Sequence, residues 1–184
     1  MGTVLWQGVE TGALDRCTME AGRDGLRLSG IVLTPEHGTP LDVRYLVETG
    51  PDGLTRRVEL ALDGGATRRA LLADGAGSWR WEDGDGLPEV DGALDVDLTV
   101  TPATNTLPIR RLAALETGQE ADFRMAWVQF PGLEVLASAQ RYQRLAPDRW
   151  HFSTGDFHAE LLVDPYGLVL DYGGLFRTLA YRLD

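Results

Sequence analysis

The chain has 184 residues, of which 43% are hydrophobic and 24% are charged, a composition typical of one folded domain. Its 28 acidic and 17 basic side chains leave a formal net charge of -11, which argues against nucleic acids and anionic membranes as partners, because both require a basic surface. All the basic residues are arginines, so chemistry that needs a lysine, such as Schiff-base formation, is excluded as well.

The cysteine content and the N-terminal sequence bear on the cellular compartment. A single cysteine, Cys17, excludes a disulfide within the chain, and one free thiol suits a reducing compartment. The first ten residues contain no basic region followed by an apolar stretch, and no apolar run is long enough for a membrane helix. We therefore predict a cytoplasmic protein with no integral membrane segment.

Short segments of alternating hydrophobicity follow one another along the chain, for example at residues 41–47, 58–62 and 157–163. Asp-Gly dipeptides, which favour tight hairpin turns, occur seven times between and within such segments. This pattern predicts about a dozen antiparallel strands. So many strands in one small domain must curl to manage their edges. We expect one all-β domain over residues 1–184, a β-roll or incomplete barrel with at most one or two short helices, the best candidate being residues 108–116.

Three residues outside the densest polar segment, Arg56, Trp79 and Tyr142, are candidate ligand contacts. Arg56 lies in phase with the apolar positions of its predicted strand, so its guanidinium needs a partner, the rim of a cavity or a route to water. Trp79 shares a strand face with Trp81, and Tyr142 adds another aromatic ring further along. Aromatic side chains with a polar group suit sugars or mixed polar and apolar ligands, although core packing explains such rings equally well.

The densest polar segment runs from residue 95 to residue 112. Asp95 and Asp97 fall on one face of a predicted strand, where they are open to sharing a proton, binding a metal, pairing with an arginine or facing solvent. Asn105 lies in the turn that follows, and Arg110 and Arg111 come next. The arginines suit either an anionic ligand or a salt bridge. We predict that Asp95 or Asp97 pairs with Arg110 or Arg111, with Asn105 holding the turn.

Signals for catalysis or cofactor binding are weak. The chain has no nucleophile elbow, zinc-protease motif, phosphate loop or dinucleotide-binding glycine motif. His151, Asp156 and His158 offer metal-ligating groups, but their spacing is unspecific and also typical of a solvated hairpin. We predict no cofactor and no metal.

The polar segment as a whole resembles the signature of a bacterial family of "putative glycolipid-binding" proteins. The signature is carried by Leu94-Asp95-Val96-Asp97-Leu98, Thr101-Pro102 and Thr104-Asn105-Thr106-Leu107-Pro108-Ile109-Arg110-Arg111-Leu112. Weaker matches run from Trp6 to Phe176 and include Gln140-x-Tyr142, while Gly173 stands where the family often has proline. The resemblance implies a rolled antiparallel sheet similar to the periplasmic carriers of lipoproteins, and a glycolipid as ligand.

These observations favour a non-catalytic protein that binds a small amphiphile, with a glycolipid as the candidate that the resemblance implies. The predicted ligand-binding residues are Arg56, Trp79, Asp95, Asp97, Asn105, Arg110, Arg111 and Tyr142. One alternative is an enzyme that uses Asp95 and Asp97 as acid or base and Arg110 on a small anionic substrate. Another is a structural or interaction protein, marked by a satisfied polar network with no cavity beside it.

Overall fold

The computed structural model describes residues 1–36 and 38–183, and it contains fourteen strands and one α-helix. The strands are β1 (Gly2–Gly8), β2 (Leu14–Gly22), β3 (Gly25–Glu36), β4 (Thr39–Thr49), β5 (Thr55–Leu62), β6 (Thr67–Ala73), β7 (Trp79–Trp81), β8 (Asp95–Leu98), β9 (Glu120–Gln129), β10 (Glu134–Ala146), β11 (Arg149–Thr154), β12 (Phe157–Val163), β13 (Val169–Tyr172) and β14 (Phe176–Leu183). The helix is α1 (Thr106–Arg111), and short 3-10 turns lie at Asp63–Gly65, Pro88–Val90 and Pro102–Asn105.

All fourteen strands belong to one sheet, in the order β7-β6-β5-β4-β3-β2-β1-β14-β13-β12-β11-β10-β9-β8. The first and last strands of the chain pair with each other at the centre of the sheet, and strands consecutive in sequence are neighbours almost everywhere. This arrangement confirms the predicted all-β fold with its one short helix.

The sheet departs from the predicted antiparallel pairing at one edge, where β8 and β9 run parallel. Parallel neighbours need a crossover connection, usually one that contains a helix. Residues 99–119, which include the 3-10 turn and α1, form that crossover. The helix begins and ends earlier than the predicted 108–116, because residues 102–109 are all buried whereas the chain emerges at the surface after Arg111.

The two edge strands, β7 and β8, are consecutive in the chain, so the sheet must curl until its edges approach each other. Hydrogen bonds tie the connecting segment to the β5–β7 end of the sheet: Gly92 N donates to Gly77 O at 2.8 Å, and Thr55 N donates to Leu94 O at 3.2 Å. The Trp79 indole nitrogen donates to Ala93 O at 2.7 Å. The sheet is therefore an unclosed roll whose edges are covered by the chain itself, which protects them from pairing with other molecules.

The core fills the inside of this roll. Alternate residues of β4, Leu41, Val43, Tyr45 and Val47, are buried as the sequence pattern predicts. The segment Thr101–Ile109 enters the roll and is buried along its whole length, and we call it the central plug. None of the helices among the described residues is long and apolar enough to cross a membrane.

Candidate functional site

The predicted salt bridge forms between Asp95 on β8 and Arg111 at the end of α1. Arg111 Nη1 donates to Asp95 Oδ1 at 2.5 Å, with the Asp95 side chain fully buried and the Arg111 side chain 18% exposed. Burial raises the pKa of Asp95, and the neighbouring guanidinium opposes that shift. Asp95 therefore does not lie on a solvated sheet face, because the curl of the roll and the central plug cover both faces of β8.

The other two predicted arginines, Arg110 and Arg56, have partners other than Asp95 and Asp97. Arg110 donates to the Tyr166 carbonyl at 2.8 Å. Arg56 pairs with Asp52 at 2.5 Å and is half-buried. A bulge between β4 and β5 shifts the register next to Arg56 and places Thr55 inside instead. Trp79 is a core residue at the roll's edge.

A second polar group extends from β8 across to β10. The Gln140 side-chain nitrogen lies 2.7 Å from Asp97 Oδ2, and Thr104 Oγ1 donates to Asp97 Oδ1 at 3.0 Å. The Tyr142 hydroxyl lies 2.7 Å from Asn105 Oδ1 and 3.1 Å from Gln140 Oε1. Burial raises the pKa of Asp97, with hydrogen bonds from Gln140 and Thr104 opposing the shift. The structure thus brings together three predicted residues, Asp97, Asn105 and Tyr142.

A cavity of about 220 Å³ opens beside this group. Its polar lining consists of Asp97, Thr99, Thr101, Asn105, Ser138, Gln140 and Thr154. Its apolar lining consists of Leu98, Trp127, Phe152, Phe157, Tyr172, Leu175 and Phe176. Phe157 and Leu175 are 38% and 36% exposed, so they form an apolar rim in contact with solvent. We call this space the plug cavity.

The ligand-binding residues predicted from the sequence make up only part of the plug cavity. Asp97 and Asn105 line it, and Tyr142 lies directly behind them. In the sequence, only the family resemblance points to Gln140, and Phe157 is one apolar residue of a predicted strand. Leu175 and Phe176 come from the far end of the chain, and no local pattern distinguishes them from other core residues.

A larger cavity of about 440 Å³ lies on the opposite, outer face of β4, β5 and β6. Several of its charged residues pair with each other, as Arg57 does with Glu82 at 2.8 Å. None of the predicted ligand-binding residues lines it. Two of the predicted residues, Asp97 and Asn105, line the inner cavity instead. Two others, Arg110 and Arg111, line a separate cavity of about 220 Å³ beside Asp52 and Gly53.

A fully buried carboxylate, Asp15 on β2, reaches the same region from the other half of the sheet. Thr101 Oγ1 donates to Asp15 Oδ2 at 2.5 Å, and the Tyr45 hydroxyl lies 3.3 Å from Asp15 Oδ1. Burial raises the pKa of Asp15 to about 7, although both hydroxyl groups oppose the shift. Because Thr101 also lines the plug cavity, Asp15 connects β2 to the cavity wall.

The close packing of Tyr45 leads to a first prediction, for Gly30→Ala. A Cβ atom at position 30 would lie 2.4 Å from both the Tyr45 ring carbon Cζ and its hydroxyl oxygen. The added methyl group must displace the ring and weaken its contact with Asp15, so we expect the free energy of unfolding to fall by about 1–3 kcal/mol, the usual cost of overpacking. Urea denaturation measures this change, and Gly22→Ala, where a Cβ meets nothing within 4 Å, is the matched control. Equal stabilities of the two variants would contradict the prediction.

The histidines form no metal centre among the described residues. His151 and His158 stack with their ring centroids 5.6 Å apart, and nowhere in residues 1–36 and 38–183 do three histidine, cysteine or acidic side chains gather in a geometry that could hold a metal ion.

The sequence matches a protein-family model, and the fold is similar to that of a solved structure. A family model described as "Putative glycolipid-binding" matches residues 3–178. The crystal structure of a DUF1089-family protein from Pseudomonas aeruginosa is similar, with 34% sequence identity and a TM-score of 0.81 over 91% of this chain and 92% of that chain. No curated protein matches the sequence.

Proposed function

We propose that this chain, which belongs to the putative glycolipid-binding family, is a non-catalytic protein that binds a small amphiphile, such as a glycolipid, in the plug cavity. The observation that carries the proposal is the two-sided lining of that cavity. Hydrogen-bonding groups cluster around Asp97 and Gln140, and aromatic and aliphatic groups lead outward to Phe157 and Leu175. An amphiphile needs this combination of an apolar slot and a few polar anchors.

The size of the cavity limits how the ligand is held. At about 220 Å³ it is smaller than the ~300–1,000 Å³ of pockets that enclose a drug-sized molecule. It therefore fits a head group and the beginning of an apolar chain. The rest of the chain would lie against the exposed rim formed by Phe157 and Leu175.

The arrangement of the polar residues does not favour the enzyme hypothesis. It requires Asp95, Asp97 and Arg110 to converge on one substrate. Instead Asp95 is buried against Arg111, Asp97 faces the plug cavity, and Arg110 binds the Tyr166 carbonyl. The purely structural hypothesis predicted a polar network with no cavity beside it, whereas the network around Asp97 borders one.

The binding function predicts that Phe157→Ser weakens the affinity for octyl glucoside, used below its critical micelle concentration. Losing the buried contact of one large apolar side chain removes roughly 1.5–3 kcal/mol, which corresponds to a loss of affinity of about tenfold or more. Isothermal titration calorimetry gives the affinities. Leu33→Ser is the matched control, since Leu33 is exposed on β3 and does not line the cavity. Equal affinity of both variants, or no binding to the wild-type protein, would contradict the proposal.

A further inference from the structure

We infer that Asp97 is held as an uncharged carboxylic acid, and that the plug cavity therefore takes an amphiphile with an uncharged, hydroxyl-bearing head. The second part rests on the binding function proposed above. A carboxylate on a cavity wall would ordinarily select a cationic head, such as an ammonium group, so the protonation of this one side chain decides the ligand class.

Tyr142 has too few hydrogens to satisfy both of its polar contacts. Its hydroxyl carries one hydrogen but faces two acceptor oxygens, Asn105 Oδ1 at 2.7 Å and Gln140 Oε1 at 3.1 Å. The Asn105 amide cannot be reversed without loss, because its nitrogen donates to the Pro102 carbonyl at 3.2 Å. With both amide groups in these orientations, one of the two contacts of the Tyr142 hydroxyl therefore lacks a hydrogen.

Reversing the Gln140 amide restores that contact, and amide oxygen and nitrogen are interchangeable in shape. The Gln140 nitrogen then donates to the Tyr142 hydroxyl, which donates in turn to Asn105. The Gln140 oxygen now faces Asp97 Oδ2 across the 2.7 Å contact, and two oxygens at this distance need a hydrogen between them. A proton on Asp97 supplies this hydrogen. Asp97 then donates to Gln140, Gln140 to Tyr142, Tyr142 to Asn105, and Asn105 to the Pro102 carbonyl.

The surroundings of Asp97 favour the neutral form. The titratable groups that face it are the phenols of Tyr142 on β10 and Tyr172 on β13. The pKa of each is raised first by burial and second by the negative charge that Asp97 carries when it is ionised. On its own strand, Asp95 is bonded to Arg111. Among the described residues that line the cavity, Asp97 is the one acidic side chain, and none is basic. Asp97 is half-buried, so an ionised carboxylate there would lose part of its hydration with no cation in the cavity lining to compensate it, which is costly.

The neutral acid changes what the cavity recognises. Its lining then consists of hydroxyl, amide and carboxylic acid groups, each able to donate or accept a hydrogen bond without a net charge. A phosphate head would meet no arginine there, and an ammonium head would meet no carboxylate. An uncharged polyol head matches all of these groups, and its binding should weaken at alkaline pH as Asp97 ionises.

Two independent measurements test the inference. The first follows the Asp97 carboxyl carbon by NMR from mildly acidic to mildly alkaline pH, with Asp97→Asn identifying the signal. We expect the signal of a protonated acid through neutral pH. Titration near the ordinary aspartate pKa of about 4 would overturn the inference and leave the binding function intact.

The second compares octyl glucoside, octyl phosphate and octylamine as probes by calorimetry. We expect both charged probes to bind at least about tenfold more weakly, because each would bring an unpaired charge into the cavity. Tightest binding of octylamine or octyl phosphate would overturn the head-group preference. If none of the three binds, the proposed function and the head-group preference fall, while the NMR measurement still decides the state of Asp97.

Asp97→Asn provides the matched variant, because the asparagine amide can donate to Gln140 as the protonated acid does. In this variant the affinity for octyl glucoside should be the same at neutral and alkaline pH, whereas the wild-type protein should bind more weakly at alkaline pH. The thermal transition shows whether Asp97→Asn folds. A folded Asp97→Asn protein that binds octylamine and octyl glucoside with equal affinity would contradict the inference.

Discussion

Arg111→Ala should lower the free energy of unfolding by about 3–5 kcal/mol, the usual cost of removing one partner of a buried ion pair. The substitution leaves the fully buried Asp95 carboxylate without its cation. It also removes the guanidinium that lies 5.1 Å from the centre of the Phe123 ring. Urea denaturation followed by tryptophan fluorescence measures the loss.

The neighbouring Arg110→Ala is the matched control, because it removes the same side chain one position earlier in α1. Arg110 has a backbone carbonyl as its partner, so its removal should cost about 1 kcal/mol, as for an ordinary hydrogen bond. A double-mutant cycle with Asp95→Ala should show a combined loss well below the sum of the single losses. Equal losses for the two arginine variants, or additive losses in the cycle, would mean that the Asp95–Arg111 pair does not hold the central plug.

The contrast between these two arginines illustrates how far the sequence predicts the site. A polar strand followed by a turn and an arginine pair predicts that the chain reverses and brings the charges together. Which arginine reaches Asp95 depends on the rotation of α1, and this is set by the buried segment Thr101–Ile109. Successive side chains of an α-helix point about 100° apart, so the sequence pattern leaves open which of the two arginines faces Asp95.

The fold was more predictable than the site, for a physical reason. Alternation in β4 reports directly which side chains face the core, because the period of a strand is two. The plug cavity instead combines side chains from strands far apart in sequence, such as Gln140 on β10 and Phe176 on β14. The residues of β8 do not themselves predict burial on both faces. The central plug that covers Asp95 is a later segment of the chain.

The contact between Asp15 and Thr101 is the most distant of these, since 86 positions separate the two residues. Asp15 lies in phase with the apolar residues Cys17 and Met19 of β2, but this local pattern does not show that it is buried without a cation. The structure nevertheless makes it one of the most consequential side chains for stability, because its proton is held differently in the folded and unfolded chains.

We expect Asp15→Asn to remove a large pH dependence from the stability of the protein. In the unfolded chain Asp15 loses its proton near the ordinary value of 3.8, whereas in the folded protein its pKa is about 7. Between these values the folded state holds the extra proton, so stability is greatest below pH 4 and is lost as the pH rises to about 7. The difference of about three pKa units corresponds to roughly 4 kcal/mol at 1.36 kcal/mol for each unit.

Asparagine cannot ionise, so this contribution disappears in the variant. The variant should be close to the wild-type protein in stability near pH 4 and more stable than it at pH 8, by up to roughly 4 kcal/mol. Urea denaturation at a series of pH values measures the difference, in which the contributions of Asp95 and Asp97 cancel because both proteins contain them. Asp24→Asn, at an exposed turn, is the control and should follow the wild-type curve within about 0.5 kcal/mol. Parallel curves for Asp15→Asn and the wild-type protein would mean that the Asp15 carboxylate is already charged in the folded state, with Thr101 and Tyr45 as sufficient compensation for its burial.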